Sequence, residues 1–283
     1  MQVFRRRFQQ VGILIFLTSA LALSAQAASF SEANLKGSYS YTLNKWTVDV
    51  GRNQYAEVGV MTFDGAGNMT GSTKAVGGGV LKSAALTGTY TVSSDGTGVI
   101  EVTSTVSKPP TTQLGFVLNS AAAGVAHGFQ FMQTDNQNNV VISGSALLQS
   151  VIAVPHTLAS LNGSFTFQYN SWSADPDFDE QGGIGILTFD GNGNVQGSFT
   201  SLDNGVYTQL TFTGSYAVNA DGSCSASLAL SNGGTPNLAC ALNSVGTLGA
   251  KGLQLLLTNP APTGTDSSTN YVITMTAVKQ GTP

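Results

Sequence analysis

The segment "LKGSYSYTLNKW" (35–46) returns as "LNGSFTFQYNSW" (161–172), an offset of 126 residues (161 less 35), and this repeat decides the fold. The same offset aligns "GVMTFDGAGNMTGS" (59–72) with "GILTFDGNGNVQGS" (185–198), and "TGTYTVSSDG" (87–96) with "TGSYAVNADG" (213–222). No gap is needed across these segments, and self-similarity at a fixed offset marks a duplicated structural unit. The chain therefore predicts two homologous domains.

Each copy consists of short segments of alternating apolar and polar residues, separated by turn residues, with no helical period. In the first copy this pattern predicts eight strands, at 36–45, 56–64, 68–76, 84–93, 97–106, 113–119, 127–134 and 139–149. "DGAGN" (64–68) and "DGNGN" (190–194) are typical of hairpin turns, because glycine readily adopts positive φ. Eight hairpin-linked strands favour a closed antiparallel up-and-down barrel, since closure removes the exposed edges. A β-sandwich in each copy is the alternative.

The offset changes in the later part of each copy. It falls to 124 where Gln130 aligns with Gln254, and it rises to 131 where Ala146 aligns with Ala277. Such shifts are expected where loops differ in length, and the second copy has an extra loop-like stretch, "PAPTGTDSST" (260–269). The predicted division is a leader at 1–27, a first barrel domain at 28–150, a linker at 151–158 and a second barrel domain at 159–283.

The opening strand of each copy resembles that of a known family. Leu35–Tyr39 and Leu161–Phe165 are similar to the L-x-G-x-W opening of the calycin barrels, the lipocalins and avidins, with Tyr or Phe in place of Trp. The resemblance implies a calycin-like barrel in which Tyr39 and Phe165 fill the closed end. The pattern as a whole also resembles repeats of uncharacterised secreted proteins of soil bacteria, and it supports a fold far better than an activity.

Residues 1–27 have the parts of a secretory signal peptide: three arginines near the start, an apolar run at 11–23, and small residues at Ala25 and Ala27. We expect cleavage before Ala28 and release into the periplasm or the medium. The apolar run is shorter than the roughly 20 residues that a membrane-spanning helix needs. No later stretch approaches that length, so no membrane span is predicted.

Charge and histidine content exclude several functions. Charged residues make up 9 % of the chain, and removal of the leader's three arginines leaves 8 basic residues (11 less 3) against 15 acidic ones. A net charge of −7 makes nucleic acid an unsuitable partner. The only histidines are His127, expected at a strand edge, and His156 in the linker, and no G-x-S-x-G or HExxH motif occurs. We therefore predict a protein that is not an enzyme.

The two cysteines, Cys224 and Cys240, belong to the second copy alone, where they align with Gly98 and Phe116 of the first. Their midpoint is Asn232, within "SNGGTPN", so a hairpin that turns there places them opposite each other on neighbouring strands. We predict a disulfide, which an exported chain can form in an oxidising compartment.

Two sets of residues are candidates for binding. Trp46 and Trp172, with Asn44 and Asn170, stand where the first strand of each copy ends, on its outer face or at the barrel mouth. There the tryptophans would either grip a ligand or pack against a loop or the neighbouring domain.

The acidic loop that carries Asp175, Asp177 and Asp179 offers oxygen ligands for Ca²⁺ and is the one candidate metal site. A solvated loop is the other interpretation, because Glu180 stands where a Ca²⁺-binding loop of this spacing would have glycine. No other cofactor is expected.

The function predicted from these features is that of a secreted, non-enzymatic protein of tandem barrels that binds a small apolar molecule. An eight-stranded barrel is just wide enough either to be filled by its own side chains or to hold one small ligand. Filled barrels would favour the alternative, an extracellular structural or adhesive module without a pocket. An enzyme on a barrel scaffold is the third possibility, and the scarcity of histidine argues against it.

Overall fold

The computed structural model describes residues 29–47, 54–77, 80–105, 111–119, 121–122, 124–135, 140–150, 155–172, 180–203, 205–246, 249–259 and 272–281. Strands of the first copy are β1 (Lys36–Thr47), β2 (Gln54–Asp64), β3 (Asn68–Gly77), β4 (Val80–Val92), β5 (Thr97–Ser104), β6 (Thr111–Leu118), β7 (Ala121–Ala122), β8 (Val125–Ala126), β9 (Gly128–Gln133) and β10 (Val140–Ser150). Those of the second are β11 (Asn162–Trp172), β12 (Glu180–Asp190), β13 (Asn194–Asp203), β14 (Val206–Val218), β15 (Ser223–Leu230), β16 (Asn237–Asn243), β17 (Gly252–Leu257) and β18 (Thr274–Lys279). Short 3₁₀ helices, Glu32–Asn34 and Leu158–Ser160, precede β1 and β11.

Each copy closes into an eight-stranded antiparallel barrel. In the first, β1 pairs with both β2 and β10, and in the second, β11 pairs with both β12 and β18. The predicted fold class is confirmed, and the sandwich alternative is wrong because the first and last strands of each copy are hydrogen-bonded to each other. One element was not predicted: the short hairpin β7–β8 lies between β6 and β9 and belongs to neither barrel.

The DGxGN turns are held by their aspartates. The Asp64 Oδ1 accepts the backbone N–H of Ala66 at 2.7 Å and of Asn68 at 3.0 Å, and Asp190 binds Asn192 and Asn194 in the same way. The turn glycines have positive φ, with Gly65 at 80° and Gly67 at 100°. Hydrogen bonds from Asn68 lower the pKa of Asp64, and those from Asn194 lower that of Asp190. These carboxylates therefore organise their own turns, as Asp does at the first position of many turns.

Aromatic side chains fill the closed end of each barrel, as the resemblance implies. Tyr39 and Phe165 are fully buried and meet Phe63 and Phe189 edge-on, with ring centroids 5.6 Å apart in both copies. The 3₁₀ helices lie at this end. The Tyr90 hydroxyl donates to the Leu35 carbonyl at 2.9 Å, and the Tyr216 hydroxyl donates to the Leu161 carbonyl at the same distance.

The two barrels pack side by side through a small apolar cluster. Its members are Ala56, Val58, Val60 and Val76 of the first barrel and Ala239, Ala241 and Leu256 of the second. Backbone bonds continue this contact, because the N–H groups of Ser244 and Val245 donate to the carbonyls of Leu148 and Gln149 at 2.8 and 2.7 Å. No helix among the described residues is long and apolar enough to cross a membrane.

Candidate functional site: the interior of the second barrel

The two barrel interiors differ in free space. The cavity of the first barrel measures about 40 Å³, and that of the second about 230 Å³. The smaller cavity has space for little more than one water molecule, whereas an apolar cavity of about 150 Å³ is already large enough to bind benzene. The second barrel therefore contains the candidate site.

A buried carboxylate network lies within the first barrel. Glu57 of β2 is only 6 % exposed, and its Oε2 accepts hydrogen bonds from the Tyr41 hydroxyl and the Thr73 hydroxyl, both at 3.1 Å. Burial raises the pKa of Glu57, and the hydroxyl groups that donate to it oppose this rise. Lys45 also lines the small cavity and lowers this pKa further through its charge. Together with the aromatic rings packed in the same core, this network leaves only the small cavity in the first barrel.

The second barrel has apolar residues at the equivalent positions. Gly183 stands in place of Glu57, while Phe167 and Phe199 replace Tyr41 and Thr73 at the same 126-residue offset. A Cβ on Gly183 would lie 2.3 Å from the Tyr169 ring, so this ring occupies the space that a longer side chain would need. At these three positions the second barrel therefore has no charged side chain and no hydroxyl group.

Most of the lining of this cavity is hydrocarbon. Its apolar members are Phe167, Leu187, Phe199, Leu210, Phe212, Leu228, Leu230, Leu238, Leu257, Ile273 and Met275. Polar groups gather towards one end, where β11, β13 and β15 finish and β12, β14 and β16 begin. This end lies opposite the closed end at Phe165 and is the mouth of the barrel.

Two hydrogen-bonded pairs stand at the mouth. Tyr169 and Ser201 share a hydrogen bond of 2.9 Å, and the Gln181 amide donates to the Asp203 carboxylate at 3.0 Å. Burial raises the pKa of Tyr169, so its hydroxyl keeps its proton at neutral pH. The site can thus accept an apolar body in the interior and a polar end near the mouth.

The disulfide predicted from the sequence is present. Cys224 of β15 and Cys240 of β16 are directly opposite each other, with Cα atoms 4.7 Å apart. In the first barrel the same place is taken by the Phe116 ring, which lies over Gly98: a Cβ there would be 2.3 Å from the ring. The first barrel thus has a large ring packed over a glycine where the second has a covalent bond between two small residues.

The predicted binding residues lie elsewhere. Trp46 is 40 % exposed at the end of β1, and Asn44 precedes it on the same outward side of the strand. Asn170 is exposed and follows Tyr169, so it points away from the cavity that Tyr169 lines. The Trp172 side chain lies outside the described residues. A role for these four residues in binding stays a prediction.

The predicted Ca²⁺ loop, with Asp175, Asp177 and Asp179, also lies outside the described residues. Over the ranges that the structure does describe, no three His, Cys, Asp or Glu side chains gather in one place. His127 lies exposed just before β9, whereas His156 is buried and donates its backbone N–H to the Ala220 carbonyl at 3.1 Å. Burial lowers the pKa of His156, opposed by the charge of Asp221.

Sequence reasoning missed the cavity lining, although the repeat contained a signal for it. The strand register places Tyr39, Tyr41 and Leu43 inside the first barrel, as the alternation of β1 indicates. A comparison of inward positions between the copies would have paired Glu57 with Gly183 and shown that the second interior is less polar.

Fold and cavity define the class of protein: two eight-stranded antiparallel barrels in one chain, one filled and one hollow. No family model matches the chain, and no curated protein matches it. Among solved structures, it is similar to transferrin-binding protein B from Neisseria meningitidis serogroup B, with 8 % identity and a TM-score of 0.27 over 87 % of this chain and 77 % of that one. It is also similar to a DUF3598-family protein of unknown function from Nostoc punctiforme, with 10 % identity and a TM-score of 0.26 over 88 % and 97 %. Likenesses this distant carry no argument about function.

Proposed function

We propose that this chain is a secreted or periplasmic, non-enzymatic binding protein that holds a small apolar molecule in its second barrel. The observation that supports the proposal is the cavity of about 230 Å³ behind the Tyr169 ring. Drug-sized ligands occupy pockets of roughly 300–1,000 Å³. The ligand is accordingly smaller than these, with a hydrocarbon body and one hydrogen-bonding end.

Export is supported by the disulfide as well as by the leader sequence. The bond between Cys224 and Cys240 needs an oxidising compartment, and such bonds are rare in the cytosol. In this proposal the first barrel is a scaffold, because its packed core leaves a cavity of only about 40 Å³.

Native mass spectrometry of the protein secreted by its own host tests the proposal. We expect a discrete small-molecule adduct that disappears after extraction with organic solvent. The variant Leu228→Trp, which enlarges a side chain of the cavity lining, should leave the barrel folded by circular dichroism and remove the adduct. Val102→Trp is the matched control at the equivalent position of the filled barrel. Overpacking should lower the stability of this variant, but its folded fraction should still carry the adduct. Bare wild-type protein that also binds no member of a panel of small apolar alcohols and acids would contradict it.

The second candidate function is a structural or adhesive extracellular module. It is favoured by the filled first barrel and by apolar side chains on the outer surfaces, such as Ile184 and Met132. Bare protein in the experiment above is the result that this function predicts.

A further inference from the structure

Each barrel has two outer surfaces that matter for packing. We call the outward side of its first three strands the early-strand face and the outward side of its later strands the late-strand face. Within the chain, the early-strand face of the first barrel, Ala56, Val58, Val60 and Val76, packs on the late-strand face of the second, Ala239, Ala241, Leu256 and the partly buried Val272. Apart from Val272, the members of both faces are at most 3 % exposed.

The duplication produces a second example of each face. The alignment places the early-strand face of the second barrel at Gly182, Ile184, Ile186 and Leu202 and the late-strand face of the first at Gly115, Val117, Met132 and Val141. These copies are uncovered: Ile184 is 67 % exposed, Met132 57 % and Val117 54 %. Large apolar side chains exposed together mark an interaction surface.

The uncovered faces keep the chemistry of the covered pair. Gln130 and Met132 replace Gln254 and Leu256. Changes in side-chain volume partly compensate, because Ile184 is larger than Val58 by one methylene whereas Gly182 is smaller than Ala56 by one methyl group. Among the described residues, the lining of a groove along the uncovered early-strand face contains no charged side chain, as expected of a surface that another apolar surface covers.

A polar contact at the edge of the covered pair also has a duplicate. The Ser72 hydroxyl donates to the Asp221 Oδ2 at 2.9 Å, while the Asp221 Oδ1 binds the turn at Ser223. Asp95 occupies the same place in the first barrel, and its Oδ1 binds Thr97 through the backbone at 3.0 Å and the hydroxyl at 2.7 Å. Ser198 is the counterpart of Ser72. A donor and an acceptor are thus positioned at the two uncovered faces as they are at the covered ones.

We propose that copies of this chain associate head to tail, with the early-strand face of the second barrel packed on the late-strand face of the first barrel of the next copy. The contact would repeat the geometry found within the chain and pair Ser198 with Asp95 of the neighbour. Because the two faces differ, the interface is heterologous, and it produces an open filament or a closed ring. The occupant is a second copy, since each uncovered face matches the surface that already covers its duplicate.

Sedimentation velocity of the full mature chain over a range of concentrations tests the proposal. Wild-type protein should form species larger than a dimer as its concentration rises. Ile184→Glu and Met132→Glu each place a charge on one face, so each variant alone should remain a monomer. A mixture of the two should form a dimer and nothing larger, because one intact face of each kind remains in the pair.

Val80→Glu is the control, since Val80 is 54 % exposed and lies outside both faces; this variant should assemble as wild type does. Wild-type protein that stays monomeric at every concentration would overturn the proposal. So would self-association of Met132→Glu alone, which would indicate a symmetric contact between two early-strand faces. Absence of a dimer in the mixture would also overturn it, provided that circular dichroism shows both variants folded.

Discussion

Glu57 and Gly183 occupy equivalent positions on the second strand of their barrels, and the buried carboxylate of the first interior has no counterpart at this position in the second. The carboxylate of Glu57 collects the hydroxyls of Tyr41 and Thr73, whereas Gly183 leaves space for the ring of Tyr169. One duplicated fold has therefore acquired two different interiors through its inward side chains alone.

This relationship predicts that the interior of the first barrel can be transferred to the second. A fourfold variant would place the residues of the first copy at the equivalent positions of the second. Its substitutions are Phe167→Tyr, Tyr169→Leu, Gly183→Glu and Phe199→Thr. We expect it to fold and to lose the small-molecule adduct, because the introduced carboxylate and its hydroxyl donors make the interior polar. Tyr169→Leu alone is the control and should retain binding, since it leaves the interior apolar. Native mass spectrometry of both variants measures the difference, and an adduct on the fourfold variant would show that the ligand lies elsewhere.

The buried Glu57 should make the free energy of unfolding depend on pH. Its pKa is raised in the folded state by burial, so the unfolded chain loses this proton at lower pH than the folded one. The free energy of unfolding should therefore fall as pH rises from about 4.5 through the folded pKa, and then level off. Glu57→Gln should remove this component. Urea unfolding of both proteins between pH 4 and 8 measures this component. If the free energies of unfolding of the two proteins change with pH in parallel, the pH dependence does not come from Glu57.

Replacement of the buried Gln149 by an apolar residue should stabilise the fold. Its side chain is 1 % exposed where the barrels meet, and neither its amide nitrogen nor its oxygen has a hydrogen-bond partner among the described residues. An unpaired buried polar group costs about 1–3 kcal/mol, and Met has nearly the same shape. Gln149→Met should raise the free energy of unfolding by about 1 kcal/mol. Thermal unfolding tests this, with Gln280→Met as the control, because Gln280 is the exposed counterpart in the second barrel.

Removal of the disulfide should destabilise the fold, and an aromatic ring packed in its place should recover part of the lost stability. Cys224 and Cys240 are 16 residues apart, and cross-linking a loop of this length contributes about 3 kcal/mol. Cys224→Ala with Cys240→Ala should lose about that amount, and the gap left behind adds to it. Cys224→Gly with Cys240→Phe reproduces the pair found in the first barrel and should lose less. Equal losses in denaturant unfolding would show that the ring does not substitute for the bond.

The sequence alone predicted the barrels because its signals are local and repeated. Alternation along β1 assigned Tyr39 and Tyr41 to the interior, and the turn at Asn232 brought Cys224 opposite Cys240, as the structure confirms. The hairpin β7–β8 was missed because "AAAGVA" (121–126) has no alternating pattern.

The cavity and the contact between barrels depend on residues that are distant in sequence. Free space in the second barrel is the sum of many inward side chains, and single positions such as Gly183 gain meaning only once strands are in register. Val58 and Val60 likewise point outward on β2, where alternation predicts solvent, and the second barrel covers them. The pattern of one strand shows which residues share a face, but it does not show what that face meets.

The hydrogen bonds that the Tyr216 hydroxyl donates at the closed end of the second barrel have a consequence for the rate of ligand exchange. Because the closed end of the second barrel is tied at Leu161, a ligand inside it can leave only past the mouth, where Tyr169 meets Ser201. We therefore expect the residence time of a ligand to depend on the side chains at the mouth. Substitutions at the mouth should therefore change the rates of ligand entry and release, whereas substitutions in the hydrocarbon lining below should act mainly on affinity.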